Sequence, residues 1–416
     1  MKALLVNTYD ISGGAARAAY RLHQGLNQLG VTSQMLVQDK QSKDPAVLLQ
    51  SQQSSFRARL RNGLDSSPVR LYGRRERTIF SPHWLPSRNV KAIDKLSPDV
   101  VNLHWVSHAY LQIEALARLK YPLVWTLHDM WAFTGGCHYA GDCKGYEQSC
   151  GRCPILNSGR EKDLSHWIWQ RKHSAWQNLN LTIVTPSRWL GECARASTLF
   201  QDCRVEVIPN GLDPQRYQPA EKSLARSNFN LPSDKRLVLF GAMNAIASTR
   251  KGYQFLQPAL QHLSRSGWQD NLELVVFGSS GPAESQPDDL GFKVNYLGHL
   301  KDEAIALAYA ACDVFVAPSV QENLSNTVME ALACGTPCLA FRIGGMPDMI
   351  EHLNNGYLAN PYDIQDLAQG VAWIVEDPER QAVLSRSARL SVEQAFTVRI
   401  QAQRYKTLFE SLKASV

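Results

Sequence analysis

Two glutamates, Glu322 and Glu330, stand where the sequence offers little to offset a charge. The apolar run at 314–317 precedes them and is typical of a strand, and a second apolar run, PCLAF, follows Glu330. Glu330 is therefore expected in a short helix packed between strands, where a carboxylate is costly unless a partner satisfies it. Hydroxyl groups of a bound ligand are suitable partners, so the spacing indicates a ligand site.

The segment ENLSNT begins at Glu322 and links the first strand to this helix. Ser325 or Asn326 can cap the helix, and the N–H groups of its first turn, with the helix dipole behind them, favour an anion. Carboxylates for hydroxyl groups beside an anion site match a sugar nucleotide better than a free acid. A single structural glutamate in a polar pocket is the alternative interpretation.

A pair of cations, Arg250 and Lys251, stands before Gly252 and an apolar helical pattern. Two cations at a loop–helix junction can neutralise a diphosphate. A solvated turn is the simpler interpretation of such a pair taken alone. The position of the loop favours the ligand interpretation. The loop follows the first strand of a second strand series, and α/β sheets bind ligands beyond the ends of such strands.

Two positions in the N-terminal half are candidates of the same kind. Gly13 and Gly14 follow the first apolar run and precede a helical pattern, which lets the backbone approach an anion. The pattern GGAARAA is not a full dinucleotide fingerprint, however, and a plain turn is the alternative. His128 and Asp129 follow the apolar run LVWTL, where the histidine either contacts a ligand or serves as a hydrogen-bonding group of the core.

Four cysteines fall within one turn-rich insert, FTGGCHYAGDCKGYEQSCGRCPIL, and they are Cys137, Cys143, Cys150 and Cys153. The final CxxC, followed by proline, is similar to half of a zinc knuckle, whereas the first pair is spaced more widely than usual. The pattern predicts a structural zinc ion without a catalytic role. Free thiols and a disulfide pair are the alternatives.

Apolar runs of strand length alternate with helical patterns almost throughout the chain, which predicts parallel sheets flanked by helices. One series of strands starts at Leu4, and a second starts after Arg236. Two series predict two doubly wound α/β domains, and the candidate residues fall beyond the carboxyl ends of strands, where such sheets bind ligands. The stretch at 208–235, rich in proline, asparagine and charge, is the expected boundary.

The bulk composition bounds the class of protein. A chain of 416 residues suits two domains, and 44 Lys and Arg against 38 Asp and Glu give a net charge of +6. This mild excess favours phosphate or anionic lipid without requiring nucleic acid. The first residues are typical of a strand rather than a signal peptide, and no window approaches the roughly 20 apolar residues of a membrane span. We therefore expect a cytoplasmic protein whose cysteines are thiols or metal ligands.

The segment at 51–90 is strongly basic and is interleaved with apolar residues. Its acidic residues are Asp65 and Glu76 alone, and its arginines are Arg57, Arg59, Arg61, Arg70, Arg74, Arg75, Arg77 and Arg88. Such a surface suits anionic lipid, at the inner face of the plasma membrane, or a diphosphate-linked acceptor. A solvated basic face is the alternative.

The stretch ENLSNTVMEALACGTPCLAF, followed by GGMPDMI, resembles the E-x7-E signature of retaining glycosyltransferases of family 4. GGAARAA, HD, IPNGLD and RKG match the same family in order along nearly the whole chain, most closely enzymes of exopolysaccharide or colanic-acid type. The resemblance implies the GT-B fold, in which two Rossmann-like domains face a central cleft. It also implies a C-terminal helix, with Phe396, Tyr405 and Phe409, that packs back onto the first domain.

Carried over residue by residue, the resemblance implies a catalytic group of Glu322, His128 and Lys251. Glu322 would bind hydroxyl groups of the donor sugar, His128 would lie beside the transferred sugar, and Lys251 would neutralise the leaving diphosphate. The other implied donor-binding residues are Gly14, Arg250, Asn323, Leu324, Ser325, Asn326, Thr327 and, for the ribose, Glu330. The chain departs from the family where many relatives have Gly-Arg, since it has Gly241-Ala242 and a longer loop to Lys251, and where relatives often have Glu in place of Asp348.

We therefore predict a retaining glycosyltransferase of hexosyltransferase type that acts in surface polysaccharide biosynthesis. It moves a sugar from a nucleotide-diphosphate sugar to a hydroxyl group of a glycan or polyprenyl-diphosphate-linked acceptor. No cofactor is implied for catalysis. The predicted domains are an acceptor-side domain at 1–208, joined by a helix at about 395–416, and a nucleotide-sugar domain at 209–394, with the cysteine insert on the acceptor side. A nucleotide-sugar epimerase of similar fold, a dinucleotide dehydrogenase and a non-catalytic sugar-nucleotide-binding subunit are the alternatives.

Overall fold

The computed structural model describes residues 1–50, 55–87, 89–241, 248–278 and 290–414. The chain divides into two compact units, an N-terminal unit of Met1–Gly211 with Val398–Val416 and a C-terminal unit of Leu212–Thr397. The sequence predicted boundaries at 208/209 and 394/395. In the described part of the chain, no helix combines the length and the apolarity needed to cross a lipid bilayer.

The N-terminal unit is built on one parallel sheet. Its strands are β1 (Lys2–Tyr9), β2 (Thr32–Asp39), β3 (Val47–Leu49), β4 (Val100–Leu103), β5 (Leu123–Thr126), β6 (Leu181–Thr185) and β7 (Arg204–Val207). Within the described residues they lie in the order β3-β2-β1-β4-β5-β6-β7. In β1, Leu4 and Val6 pack into one apolar layer and Ala3 and Leu5 into another. Burial on both faces explains why these strands are continuous apolar runs.

Helices cover both faces of this sheet. They are α1 (Gly14–Gln28), α2 (Ser55–Asp65), α3 (Asn89–Leu96), α4 (Leu164–Trp176), α5 (Arg188–Ala196) and, at the end of the chain, α12 (Val398–Ala414). Helix α12 lies against α1 so closely that a Cβ at Gly25 would come within 2.9 Å of Val398 Cγ2. The hydroxyl groups of Tyr405 and Thr126 are 2.8 Å apart. Phe396, grouped with α12 by the sequence, instead belongs to the core of the C-terminal unit, because it precedes the helix.

The C-terminal unit repeats this design. Its strands are β8 (Arg236–Gly241), β9 (Leu272–Phe277), β10 (Val294–Gly298), β11 (Val314–Ala317), β12 (Cys338–Phe341) and β13 (Gly356–Ala359). They form a parallel sheet in the order β10-β9-β8-β11-β12-β13 among the residues that the structure describes. The helices are α6 (Lys222–Asn228), α7 (Tyr253–Leu263), α8 (Asp302–Ala311), α9 (Asn326–Ala333), α10 (Ile364–Glu376) and α11 (Pro378–Ala395).

Both sheets have the strand order of the Rossmann fold, which confirms the predicted α/β class. In each unit the order reverses between two neighbouring strands, β1 and β4 in the N-terminal unit and β8 and β11 in the C-terminal unit. Ligands of such sheets bind beyond the carboxyl ends of the strands at this switch point. The loops that follow these four strands are therefore the expected location of a ligand site.

Candidate functional site

Glu322, Arg250 and Lys251 meet in the C-terminal unit. Oε2 of Glu322 accepts hydrogen bonds from Lys251 Nζ at 2.8 Å and from Arg250 Nη1 at 3.1 Å. Arg250 Nη1 also donates to the carbonyl oxygen of Gln321 at 3.0 Å, and the Val320 N–H donates to the carbonyl oxygen of Arg250 at 3.0 Å. These residues are far apart in the chain, but β8 and β11 are neighbours in the sheet, so the loops that follow them converge.

The electrostatics of this cluster favour an anion. Burial alone would raise the pKa of Glu322, but the charges of Lys251 and Arg250 and their hydrogen bonds lower it from its ordinary value of 4.5 to about 2. The carboxylate is therefore ionised at neutral pH. One negative and two positive charges give the cluster a net charge of +1. A negatively charged diphosphate is attracted to this net positive charge.

Two glycines fix the loops of this cluster. Gly252 has a φ of +79°, and a Cβ there would lie 1.7 Å from the carbonyl oxygen of Pro318. Gly344 has a φ of +50°, and a Cβ there would lie 2.1 Å from the carbonyl oxygen of Glu322. The N–H of Gly345 donates to that same oxygen at 3.1 Å. The backbone approaches so closely that larger residues would displace the cations or the carboxylate.

Helix α9 starts three residues after Asn323, at Asn326. Ser325 caps it, since its hydroxyl oxygen accepts from the Val328 N–H at 3.4 Å and lies 2.9 Å from the hydroxyl of Thr327. The sequence allowed Ser325 or Asn326 as the N-cap, and in the structure the N-cap residue is Ser325. Leu324 is buried in the apolar core beside the helix and anchors the loop.

Glu330 is buried within α9, as the sequence predicted, with 4% of its surface exposed. Its charge acts on two groups of the core. Burial raises the pKa of Tyr309 and of Cys334, and the negative charge of Glu330 raises both further. Glu330 therefore lies buried in the helix that begins four residues after Glu322.

His128 lies at the carboxyl end of β5 in the N-terminal unit, half-buried, with Nε2 3.0 Å from His104 Nδ1. The amide of Asn102 is complementary to its surroundings when its oxygen faces His104 Nε2, at 3.1 Å, and its nitrogen donates to the carbonyl oxygens of Val124 and Leu103. His104 then donates through Nε2 and accepts through Nδ1. His128 consequently donates through Nε2 and presents Nδ1 as an acceptor.

Both rings are neutral at physiological pH. Burial lowers the pKa of His104, and it lowers the pKa of His128 to about 4. The proton order set by Asn102 therefore holds across the neutral range. Sequence reasoning missed Asn102 and His104, although polar residues at the carboxyl end of an apolar strand were a usable signal.

Asp129 has a structural role beside His128. Its carboxylate accepts from Trp105 Nε1 at 2.8 Å, from the Trp131 N–H at 2.9 Å and from His138 Nδ1 at 2.7 Å. His138 Nε2 in turn lies 2.9 Å from the hydroxyl of Ser81. Burial alone would raise the pKa of Asp129, but the charge and hydrogen bond of His138 lower it. Asp129 thus holds the loop that carries His128.

Gly14 opens helix α1 at the carboxyl end of β1. Its neighbour Gly13, the N-cap residue, has a φ of +92°, a left-handed conformation that suits glycine. The role of Gly14 at an anion stays a prediction.

The four insert cysteines of the N-terminal unit are brought together. All of them line one cavity, and the structure has each as a free thiol. They lie on turns that join the short 3-10 helix Trp131–Phe133 to helix α4.

Residues 12–216 match the family model of Glycosyltransferase Family 4, and residues 222–391 match that of Glycosyl transferases group 1. Together the two models span most of the chain, which therefore belongs to the glycosyltransferases of the family 4 type. The first model falls mainly on the N-terminal unit and the second within the C-terminal unit.

The D-inositol 3-phosphate glycosyltransferase of Saccharomonospora viridis is 30% identical to this glycosyltransferase over 197 residues, which are 44% of this chain and 45% of that protein. An uncharacterized glycosyltransferase of Methanocaldococcus jannaschii is 24% identical over 346 residues, covering 78% of this chain and 80% of that protein. The chain thus spans less than half the length of the inositol enzyme.

Solved structures show the same fold. Sucrose-phosphate synthase from Thermosynechococcus elongatus has a TM-score of 0.71 at 19% identity, with 100% of both chains covered. The Anabaena protein HepE, solved in complex with UDP and glucose, has a TM-score of 0.65 at 19% identity, with 99% of this chain and 100% of that chain covered. These likenesses establish the GT-B type of fold for this glycosyltransferase.

Proposed function

We propose that this glycosyltransferase transfers a sugar from a nucleotide-diphosphate sugar to a hydroxyl group of a lipid-linked glycan, with retention of the anomeric configuration. The observation that carries the proposal is the cluster of Glu322, Arg250 and Lys251 at the switch point of the C-terminal unit. It supplies the excess positive charge that a leaving diphosphate needs. Binding of UDP-glucose by the Anabaena protein HepE, which has the same fold, is consistent with this class of donor.

In the proposed reaction, the bond from the anomeric carbon to the diphosphate oxygen breaks while the acceptor oxygen bonds to that carbon on the same face. The proton of the acceptor hydroxyl goes to the departing phosphate oxygen. The protein then acts by positioning the substrates and by stabilising charge. Lys251, Arg250 and the first-turn amides of α9 supply that stabilisation.

Glu322 has two tasks in this proposal. Among the described residues its ion pairs fall on Oε2, so Oε1 is the oxygen offered to a hydroxyl group of the donor sugar. Its charge also holds Lys251 and Arg250 in place before the donor arrives. When the diphosphate binds, the two cations are shared between carboxylate and phosphate. Arg250 thereby takes the place of the arginine that many relatives have at the position of Ala242.

Glu330 is assigned to the ribose. A buried carboxylate can accept hydrogen bonds from two neighbouring hydroxyl groups, and each such bond to a charged acceptor contributes about 1.5–3 kcal/mol. In the N-terminal unit, His128 Nδ1 is assigned as the acceptor for a hydroxyl group of the transferred sugar. The backbone at Gly14 is assigned to the diphosphate, and the backbone from Asn323 to Thr327 to the sugar and the phosphate.

A membrane-bound acceptor is supported by the surface after α2. Leu64 in the last turn of α2 is 60% exposed, and in the segment that follows Leu71 and Ile79 are 86% and 55% exposed and Arg74 and Arg77 are exposed as well. Exposed apolar and cationic side chains within one short segment suit an anionic bilayer. We therefore place the protein at a membrane surface that presents the lipid-linked acceptor.

Asp65 and Arg61 of this segment do not belong to an exposed basic face. Asp65 is buried and accepts from the His83 and Trp84 N–H groups, so its charge does not offset the surface arginines. Arg61 is not available to lipid, because it donates to the carbonyl oxygens of Ala109 and Leu85. The predicted contributions of Arg57, Arg59 and Arg88 lie outside the described side chains.

Product analysis tests the proposal. The protein is incubated with UDP-, GDP- and ADP-sugars that raise its melting temperature, with and without a polyprenyl-diphosphate-linked glycan. We expect nucleoside diphosphate and a new glycoside only when the acceptor is present. The new glycoside should keep the anomeric configuration of the donor sugar. Conversion of the donor without acceptor would identify an epimerase, and donor binding without release of nucleoside diphosphate would identify a non-catalytic subunit.

A further inference from the structure

The segment between Phe133 and Leu164 is long and has little secondary structure of its own. It contains the short 3-10 helix Gly145–Glu147 and otherwise consists of turns in the described structure. Connections longer than about 12–15 residues without secondary structure are uncommon in compact domains unless they are tied down or functional. Cys150 and Arg152 even adopt positive φ values of 50° and 45° within it. Something must hold these turns in place.

The four cysteines of the segment point to what holds it. Cys137, Cys143, Cys150 and Cys153 line one cavity whose wall also includes Phe80 and Tyr146. The segment is anchored at both ends of the cluster, since Cys137 is bridged to Phe80 and the Cys153 N–H donates to Asp163 at 2.9 Å. The cavity thus gathers the thiols of four separate turns.

Backbone N–H groups are aimed at two of the sulfur atoms. The Gly135 N–H donates to Cys150 Sγ at 3.1 Å, and the Gly145 N–H donates to Cys143 Sγ at 3.4 Å. A neutral thiol is a weak acceptor, whereas a thiolate accepts such bonds strongly. These donors would therefore stabilise the two sulfur atoms once a metal ion displaces the thiol protons.

A buried lysine lies next to this cavity. Lys172 is fully buried, with Nζ 3.7 Å from the centre of the Trp131 ring and 3.0 Å from the carbonyl oxygen of Thr134, a residue that lines the cavity. Burial lowers the pKa of Lys172 to about 7, whereas negative charge on Cys150, Cys137 or Asp129 raises it. A buried ammonium group is stabilised by negative charge nearby.

We propose that Cys137, Cys143, Cys150 and Cys153 bind one structural zinc ion as four thiolates, with Lys172 as the counter-charge. Zinc displaces the four thiol protons, and Zn²⁺ with four thiolates carries a net charge of −2, which the ammonium group offsets in part. Four-cysteine sites of this kind are tetrahedral and hold small or irregular elements together.

The side chains move when the metal binds. Among the described residues no three cysteine, histidine or acidic side chains already stand in an arrangement that could hold a metal ion, so the thiols line the cavity without enclosing its centre. Zinc–sulfur bonds of about 2.3 Å require the four side chains to rotate inward.

Elemental analysis of the full chain, purified without chelator, tests the proposal. We expect about one zinc ion per chain, as for a structural tetrathiolate site. Cys150→Ser and Cys153→Ser should each lose the metal, and Cys203→Ser, a change of a cysteine elsewhere in the N-terminal unit, should keep it. Zinc retained by both cluster variants, or folded wild-type protein with far less than one zinc ion per chain, would overturn the site.

A second measurement decides the matter if the cluster variants fail to fold. Wild-type protein is treated with a thiol reagent before and after a zinc chelator, and the modified cysteines are identified by mass spectrometry. We expect the four cluster cysteines to react only after chelation and the melting temperature to fall when zinc is removed. Reaction of all four before chelation, or a disulfide between any two of them in the native protein, would show that no zinc is bound.

Discussion

Glu322 shares one carboxylate oxygen between two cations, and that sharing determines how the three side chains respond to substitution. Lys251 and Arg250 keep 18% and 32% of their side-chain surface exposed, so water can replace a partner that either of them loses. Ion pairs that water can reach contribute little to folding. Substitutions at the cluster are therefore expected to change catalysis more than stability.

Lys251→Ala should lower kcat about 10²–10³-fold, because one preorganised donor to the leaving diphosphate is removed. Initial rates of nucleoside diphosphate release with saturating donor and acceptor measure the effect. Lys293→Ala, a change of a lysine that is 66% exposed in the same unit, is the matched control and should leave kcat unchanged. Equal kcat values for the Lys251 variant and the wild type would remove Lys251 from the donor site.

Glu330→Gln should weaken binding of the nucleoside diphosphate by about 1–3 kcal/mol, because the carboxylate no longer accepts from the ribose. Calorimetry with the ribose nucleotide and its 2′-deoxy analogue isolates this contact. The wild type should discriminate between the two nucleotides, and the variant should do so much less. Undiminished discrimination in a folded variant would mean that Glu330 has only a structural role.

His104→Phe should allow His128 to adopt either neutral tautomer, because the ring nitrogen that accepts from His128 Nε2 is lost. Nitrogen NMR of the wild type should show His128 as the neutral Nε2–H form from pH 6 to 8, above its pKa of about 4. The variant should show mixed tautomers and a lower kcat/KM. A wild-type spectrum with the proton on Nδ1 would contradict the proton order that Asn102 sets.

The two glutamates were predictable from single residues, because a charge inside an apolar pattern is visible in the sequence. Burial of Glu330 followed from its place in the helix that links two apolar runs, and burial is what the structure confirms. His104 was not recognised in the same way. It follows an apolar run instead of interrupting one, and its role depends on the ring of His128, which follows a different strand.

At the scale of elements, the loop before α7 depends on one turn. Gly252→Ala should destabilise the C-terminal unit and impair catalysis together, because a Cβ would collide with the carbonyl oxygen of Pro318 and push Arg250 and Lys251 aside. Gly267→Ala is the control, since Gly267 has a φ of +90° and open space around it. The control should lose only the roughly 1–2 kcal/mol of a left-handed residue. Chemical denaturation compares the two, and equal losses would show that the close contact has no effect.

Strands were predictable from the sequence where the apolar pattern was strong. The strands β8, β9, β11 and β12 were expected from their runs of valine, leucine and phenylalanine. The strands β3 and β13 were not, since Val47–Leu49 is only three residues long and Gly356–Ala359 begins with glycine. Short edge strands are held by their neighbours, and that support does not appear in a local pattern.

At the scale of the whole molecule, the surface after α2 should bind anionic vesicles. Flotation at low salt tests it, and Arg74→Glu with Arg77→Glu should abolish flotation because the charge attraction becomes repulsion. Arg265→Glu with Lys301→Glu makes the same change in net charge on exposed residues of the C-terminal unit and should leave flotation intact. Failure of the wild type to float would remove the membrane from the proposed function.

The convergence of Arg250 with Glu322 depends on strand order, which a local pattern does not contain. Each loop could be placed after its strand, but the contact exists because β8 lies beside β11 rather than beside any other strand. The predicted Rossmann-like class supplied that order in outline. Only the structure reveals that both cations pair with the same carboxylate oxygen of Glu322.

The position of α12 has a consequence for how the chain folds as it is synthesised. The N-terminal unit is completed by residues that leave the ribosome only after the entire C-terminal unit has been made. Until then the surface of α1 around Gly25 is exposed, and Thr126 lacks its contact with Tyr405. We therefore expect the N-terminal unit to reach its final packing only after the C-terminal unit has been synthesised. A slow step late in biogenesis, sensitive to substitutions at Tyr405, is the expected signature of this order.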